Sequence, residues 1–205
     1  MPDRTPLPTT SDVPADAQDA GLALATTTVL RVTAAAQHEE QDELAQEVPV
    51  ALVYNGISHA VMLATPCDLE DFALGFSLSE GILHRANELY GCEPITTGNG
   101  IELHLDISSQ RLQQLKAQRR SLMGRTGCGL CGSESLAALQ RPARQVNPPP
   151  IPHAAIVRAL HAFPDFQPLR QRSGATHAAA WVDLSGTIVA VREDLGRHNA
   201  LDKLI

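Results

Sequence analysis

A chain of 205 residues with 43% apolar residues has material for one large globular domain or two small ones. Aromatic residues, at 3%, are too few to build the stacking platforms of a single-stranded nucleic-acid binder. The formal charge of −7 is unevenly spread: residues 1–47 hold nine acidic and two basic side chains, whereas residues 48–205 hold fourteen of each. The acidity therefore belongs to the N-terminal segment and says little about what the body binds. No basic run followed by an apolar stretch opens the chain, and no segment has the apolar length to cross a bilayer. The expectation is a cytoplasmic protein, away from the membrane, with reduced cysteines.

Residues 1–27 are rich in Pro, Asp, Thr and Ala without periodicity and read as a disordered tail. Val29 to Thr33 reads as a strand, and the acidic run Glu39 to Glu47 as a solvated loop or edge. Residues 49–54 and 57–63 flank Asn55-Gly56, the strongest short hairpin signal, because both turn positions need positive φ. Thr65-Pro66-Cys67-Asp68-Leu69-Glu70 opens a helix to about Ser79, with Leu69, Phe72, Ala73 and Phe76 at helical spacing and Gly81 closing it. Ile101 to Ile107 alternates as a strand, and residues 108–120 form a polar, basic helix with Leu112 and Leu115 on its apolar side. A glycine-rich cysteine loop follows, then a short helix from Ser133 to about Gln140 and a proline connector at residues 147–152. His153 to Phe163 is a further helix. Thr176–Val182 and Thr187–Val191 pair as strands, and a last helix starts near Ala200.

The chemistry concentrates in Gly124-Arg125-Thr126-Gly127-Cys128-Gly129-Leu130-Cys131-Gly132-Ser133. Three readings compete for this C-x-x-C. A structural zinc site wants four ligands, and Cys67 and Cys92 do not form the second pair. A thioredoxin-like redox pair follows a strand, whereas here a basic helix and glycines lead in. A nucleophilic or sulfur-carrying cysteine needs a thiolate on a mobile, open loop. From Asp106 to Glu134 there is no acidic residue, while Arg111, Lys116, Arg119, Arg120 and Arg125 supply five positive charges, which lower thiol pKa and attract anions. Arg111 and Lys116 read as a solvated helix face; Arg125, three residues from Cys128, is the functional candidate. A zinc-deaminase reading through His38-Glu39-Glu40 fails, because the pieces lie far apart and Gly127 stands where proline is expected.

Residues 124–132 resemble the signature of the FdhD family, the formate dehydrogenase accessory sulfurtransferases. Two further stretches carry the same resemblance in family order: Ala64-Thr65-Pro66-Cys67-Asp68-Leu69-Glu70-Asp71-Phe72 through Gly81-Ile82, and Val191-Arg192-Glu193-Asp194-Leu195-Gly196-Arg197-His198-Asn199-Ala200-Leu201-Asp202-Lys203-Leu204. The resemblance implies an α/β protein: residues 28–120 as an N-terminal α+β domain, and residues 121–205 as the C-x-x-C loop and the start of an incomplete cytidine-deaminase-like domain. It implies a sulfur carrier that takes persulfide sulfur from a cysteine desulfurase and passes it to the molybdenum cofactor, as bis-molybdopterin guanine dinucleotide, before insertion into formate dehydrogenase. Cys128 would carry the persulfide and Cys131 would assist or resolve it. The cofactor enters as bound substrate, with no permanent metal, no nucleic acid, and a homodimer as the family's precedent. The alternative is a cofactor-binding chaperone without sulfur transfer, its C-x-x-C a structural zinc site.

Arg197, His198 and Asn199, at the entry to a helix, either face the cofactor together with Arg125 or serve as a cap beside a surface salt bridge from Asp194. Cys67 stands where the family has a small residue and reads as a small buried side chain; Cys92 reads as structural, His104 as exposed and Trp181 as core. The family continues well past Leu201-Asp202-Lys203-Leu204 through elements that help bind the guanine nucleotide, so the chain reads as a C-terminally shortened member.

Overall fold

The computed structural model describes residues 23–123, 147 and 149–205, with backbone only for 118–123. The protein is a mixed α/β fold. In chain order its elements are β1 (Leu24–Val32), β2 (Gln37–Ala45), β3 (Val48–Tyr54), β4 (Ile57–Ala64), α1 (Leu69–Ser79), a 3-10 turn (Ala86–Glu88), β5 (Leu89–Thr97), β6 (Gly100–Ile107), α2 (Ser109–Met123), α3 (His153–Ala162), a second 3-10 turn (Phe163–Phe166), α4 (Pro168–Ser173), β7 (His177–Val182), β8 (Ile188–Asp194) and α5 (Arg197–Leu204).

The central sheet has the order β4-β3-β6-β5. Asn55 and Gly56 take φ of 45° and 79°, so the β3–β4 hairpin closes as its sequence predicts. β3 and β6 run parallel, with Val50, Leu52 and Tyr54 aligned to Ile101, Leu103 and Leu105. The crossover between them carries β4, α1 and β5, as a parallel pair requires a long connection. One face of this sheet is the core. Val50, Leu52, Tyr54, Leu103, Leu105 and Ile107 are buried against Phe72, Ala73 and Phe76 of α1 and Leu115 of α2. The Tyr54 hydroxyl reaches Ser77 Oγ at 2.7 Å, and Ser77 in turn donates to the Ala73 carbonyl, so the polar groups inside this core are partnered.

Two smaller units flank it. β7 and β8 form an antiparallel pair packed on α5. β1 and β2 form an antiparallel ribbon whose base buries Ala23 and Leu24 against Cys67 and Leu169, with an Arg172–Glu43 ion pair beside it. The ribbon departs from the sequence reading. β1 begins at Leu24, so its first residues fall within the stretch assigned to the tail, and of the two readings of the acidic run, loop or edge, the structure takes the edge, as strand β2. Ribbon pairing leaves the glutamates solvated on an edge, so charge and strand coexist.

Other differences are local. α5 starts at Arg197, three residues before the expected Ala200. β5 and α4 have no counterpart in the sequence reading. Trp181, expected in the core, is 64% exposed. The short helix expected at residues 133–140 lies outside the described residues.

Candidate functional site

Of the residues singled out for chemistry, Arg125, Cys128 and Cys131 lie outside the described residues. The structure does describe what leads into them. α2 runs to Met123, directly ahead of Gly124, and is rooted by Arg111 in its first turn. Arg111 is not the solvated charge expected. It is buried, donates from both Nε and Nη2 to Glu88 Oε1 at 3.1 and 2.8 Å, and gives Nη1 to Gln114. The paired guanidinium holds the Glu88 carboxyl down to about 2. Arg111 is thus spent on tethering α2 to the 3-10 turn before β5. A groove of about 390 Å³ lies alongside, lined by Gly81, Ile82, His84, Gln114, Leu115 and Ala117.

The late motif resolves into two roles. Arg197 and His198 are exposed in the first turn of α5. Asn199 points inward: its Nδ2 donates to the Leu63 carbonyl at 2.7 Å and to Asp194 Oδ1 at 3.1 Å. The salt bridge expected at the surface from Asp194 is instead wholly buried, with Lys203 Nζ 2.8 Å from Asp194 Oδ2 and both side chains at 0% exposure. The reason is that β8 delivers Asp194 beneath the start of α5, while Asn199 and Lys203, four residues apart, share the buried face of that helix.

Thr65 is the counterpart of this cluster in the first motif. Its N–H donates to Asp194 Oδ2 at 2.9 Å, its carbonyl accepts from Lys203 Nζ at 3.0 Å, and its Oγ1 accepts from the Leu195 N–H at 3.0 Å. Three polar groups of one buried residue therefore meet three residues of the late motif. Glu193 does similar work one position earlier, accepting from the N–H groups of Leu169 and Arg170 and from Thr176 Oγ1. The sequence reading missed Thr65, Glu193 and Lys203. A usable signal was present in Lys203, which falls at i+4 from Asn199 on a helix too short to spare a charge for its inner face.

The family model FdhD/NarQ matches residues 45–205. This chain belongs to the FdhD/NarQ family. It is 58% identical over 166 residues to a protein of Cupriavidus necator named sulfur carrier protein FdhD, covering 80% of this chain and 57% of that one. A Variovorax paradoxus protein of the same name is 54% identical over 173 residues, covering 82% of this chain and 60% of the relative. The chain thus spans less than two thirds of the length of these relatives. A crystal structure described as that of a formate dehydrogenase accessory protein from Desulfotalea psychrophila matches with a TM-score of 0.62 at 21% identity, over 89% of this chain and 67% of that one. That likeness is one of fold. The family match opens at residue 45, so the ribbon strand β1 and nearly all of β2 precede it.

Within the family frame the two described cysteines are unlike a sulfur-carrying pair. Cys67 is buried, and burial pushes its thiol up to about 12 despite Lys203 Nζ 3.7 Å away. Cys92 is half-buried and raised to about 11, first by burial and then by the Glu70 charge. At pH 8 roughly one part in 10⁴ of Cys67 and one in 10³ of Cys92 is thiolate, and only thiolate alkylates. Iodoacetamide at pH 8 is expected to leave both unmodified in the native protein and to label both in urea; Cys67 labelling at equal rates in the two conditions would contradict its burial. The same shift fixes a pH dependence. The folded state favours the protonated Cys67, so its contribution is complete below about pH 9 and is lost as pH rises towards 12. Among the described residues no three His, Cys, Asp or Glu side chains group as metal ligands, and no helix is long and apolar enough to cross a membrane.

Proposed function

We propose that this chain is a sulfur carrier serving formate dehydrogenase, with Cys128 as the sulfur-bearing residue. The observation that carries this reading is the unbroken Gly124-to-Gly132 cysteine loop in a member of a family whose relatives are named sulfur carriers. The Cys128 thiolate attacks the terminal sulfur of a cysteine desulfurase persulfide. One S–S bond forms, the donor's S–S bond breaks, and the donor cysteine leaves as thiolate. Cys131 then attacks Cys128 Sγ, releasing the terminal sulfur as sulfide; the two thiols are oxidised to a disulfide and the sulfur is reduced. The acceptor is the molybdenum cofactor, as bis-molybdopterin guanine dinucleotide, bound as substrate. Arg125 and the exposed Arg197 and His198 supply positive charge and donors towards its phosphates, while Asn199 sets the helix turn that carries Arg197 and His198. In the same reading residues 121–205 hold the C-x-x-C loop and the start of an incomplete cytidine-deaminase-like domain, and the protein works in the cytoplasm as a homodimer.

The test is incubation of the 205-residue chain with a cysteine desulfurase and cysteine, followed by intact and peptide mass spectrometry. A gain of about 32 Da, one sulfur, is expected on the Cys128 peptide and is abolished in Cys128→Ala. In Cys131→Ala the adduct is expected to form and persist longer. Absence of any adduct on residues 124–132 removes the carrier reading and leaves a cofactor-binding chaperone. Stoichiometric zinc lost on replacing Cys128 would instead assign the pair to a structural metal site.

A further inference from the structure

The central sheet has a second face, opposite the core, that its sequence does not treat as a water-facing surface. Register places Leu63 beside Pro49, Val61 beside Ala51, Ala51 beside Glu102, Ile95 beside Glu102, and Glu93 beside His104 on this side. An antiparallel edge facing water normally alternates to polar residues. Here the outward positions of β3 and β4 are mainly apolar, with Val61 62% and Leu63 55% exposed, and Ile95 on β5 is 37% exposed. Beside this apolar strip runs an acidic row, Glu93, Glu102 and Asp106. His104 Nε2 is bonded to Glu102 Oε2 at 2.8 Å within it. The four strands of the sheet contain no Lys or Arg.

We propose that this outer face is a docking surface for a basic amphipathic helix of a partner protein. A sheet face with an apolar strip is stable when another layer covers it. Between Val61 and Leu63 on one side and the acidic row on the other lie Pro49 and Ala51 of β3, with Gly100 next in the row. A helix laid along these positions sets a leucine ridge against the exposed Val61 and Leu63 and brings flanking Lys or Arg over Glu93, Glu102 and Asp106. A strand added at the β4 edge would pair backbone groups and leave the apolar face uncovered. The surface is built from strands within the family match but uses none of the cysteine-loop or late-motif residues, so it stands apart from the sulfur-carrier reading.

The probe is a fluorescein-labelled helical peptide of about 15 residues with leucines at i, i+3, i+4 and i+7 and lysines on the flanks, alongside a twin with glutamates in place of the lysines. Anisotropy titrations use the 205-residue chain, Val61→Asp/Leu63→Asp, Ile95→Asp and Glu93→Lys/Glu102→Lys, with circular dichroism to verify folding. The lysine peptide is expected to bind the unmodified chain more weakly as salt rises. Affinity should fall about tenfold or more in each variant, and the charge-reversed variant should prefer the glutamate peptide. Equal binding by all folded proteins, no binding of the lysine peptide, or self-association in sedimentation that Val61→Asp/Leu63→Asp abolishes would each overturn the proposal, the last by giving the face to a second copy.

Discussion

Replacing Gly75 by alanine is expected to destabilise the protein by about 3 kcal/mol or more, although alanine is the better helix former. A Cβ on Gly75 would stand 1.6 Å from the Asp202 carbonyl oxygen and 2.5 Å from its carbonyl carbon. α1 and α5 therefore cross backbone on backbone. The obstacle belongs to the main chain, so no rotamer change relieves it and the helices must separate. Gly81→Ala is the control. Gly81 has φ of 72° and open space around its Cβ position, so alanine there meets only the left-handed backbone cost of about 1–2 kcal/mol. Urea midpoints followed by circular dichroism compare the two. If Gly75→Ala unfolds within error of the unmodified chain, the close crossing is wrong. The consequence extends to the proposed chemistry, because the first turn of α5 presents Arg197 and His198.

How much of this was legible in the sequence depended on distance along the chain. The Asn55-Gly56 hairpin, α1 with its Gly81 stop, β6, α2 and α3 all follow from signals contained within a dozen residues. β5 escaped notice because Gly91 and Pro94 break its pattern; as an edge strand it tolerates both, since proline there need not donate to a neighbour. β2 escaped because glutamates argue against strand when no partner is visible, and its partner is the equally marginal β1. Trp181 misled because size and hydrophobicity set an average tendency to bury, while exposure is decided by what lies opposite in three dimensions. The candidate site divides in the same way. The cysteine loop announces itself by composition and spacing, whereas the roles within residues 191–204 depend on Thr65, more than a hundred residues away. A motif that reads as a binding surface proves to spend Asp194, Asn199 and Lys203 on internal contacts and to expose Arg197 and His198.

That internal cluster carries the second large prediction. Asp194→Asn and Lys203→Met are each expected to cost about 3–5 kcal/mol, the range for removing one partner from a fully buried ion pair. Asp194→Asn leaves the Lys203 ammonium against two neutral carbonyls, those of Thr65 and Glu193. Lys203→Met leaves the Asp194 carboxylate with donors from Thr65, Gly196 and Asn199, but strips both carbonyls of their ammonium partner. The double variant removes both charges together. Its cost should therefore fall short of the sum of the singles by about 2 kcal/mol or more, within the range of couplings measured for contacting groups. Additivity within about 0.5 kcal/mol in a denaturation cycle would show that the two side chains do not act as a pair. The cycle also separates two explanations for a loss of sulfur transfer in either single variant. Because both residues touch Thr65 and neither reaches solvent, lost activity should track the fraction unfolded and return at lower temperature. A direct role with the cofactor would leave activity low in protein that is fully folded.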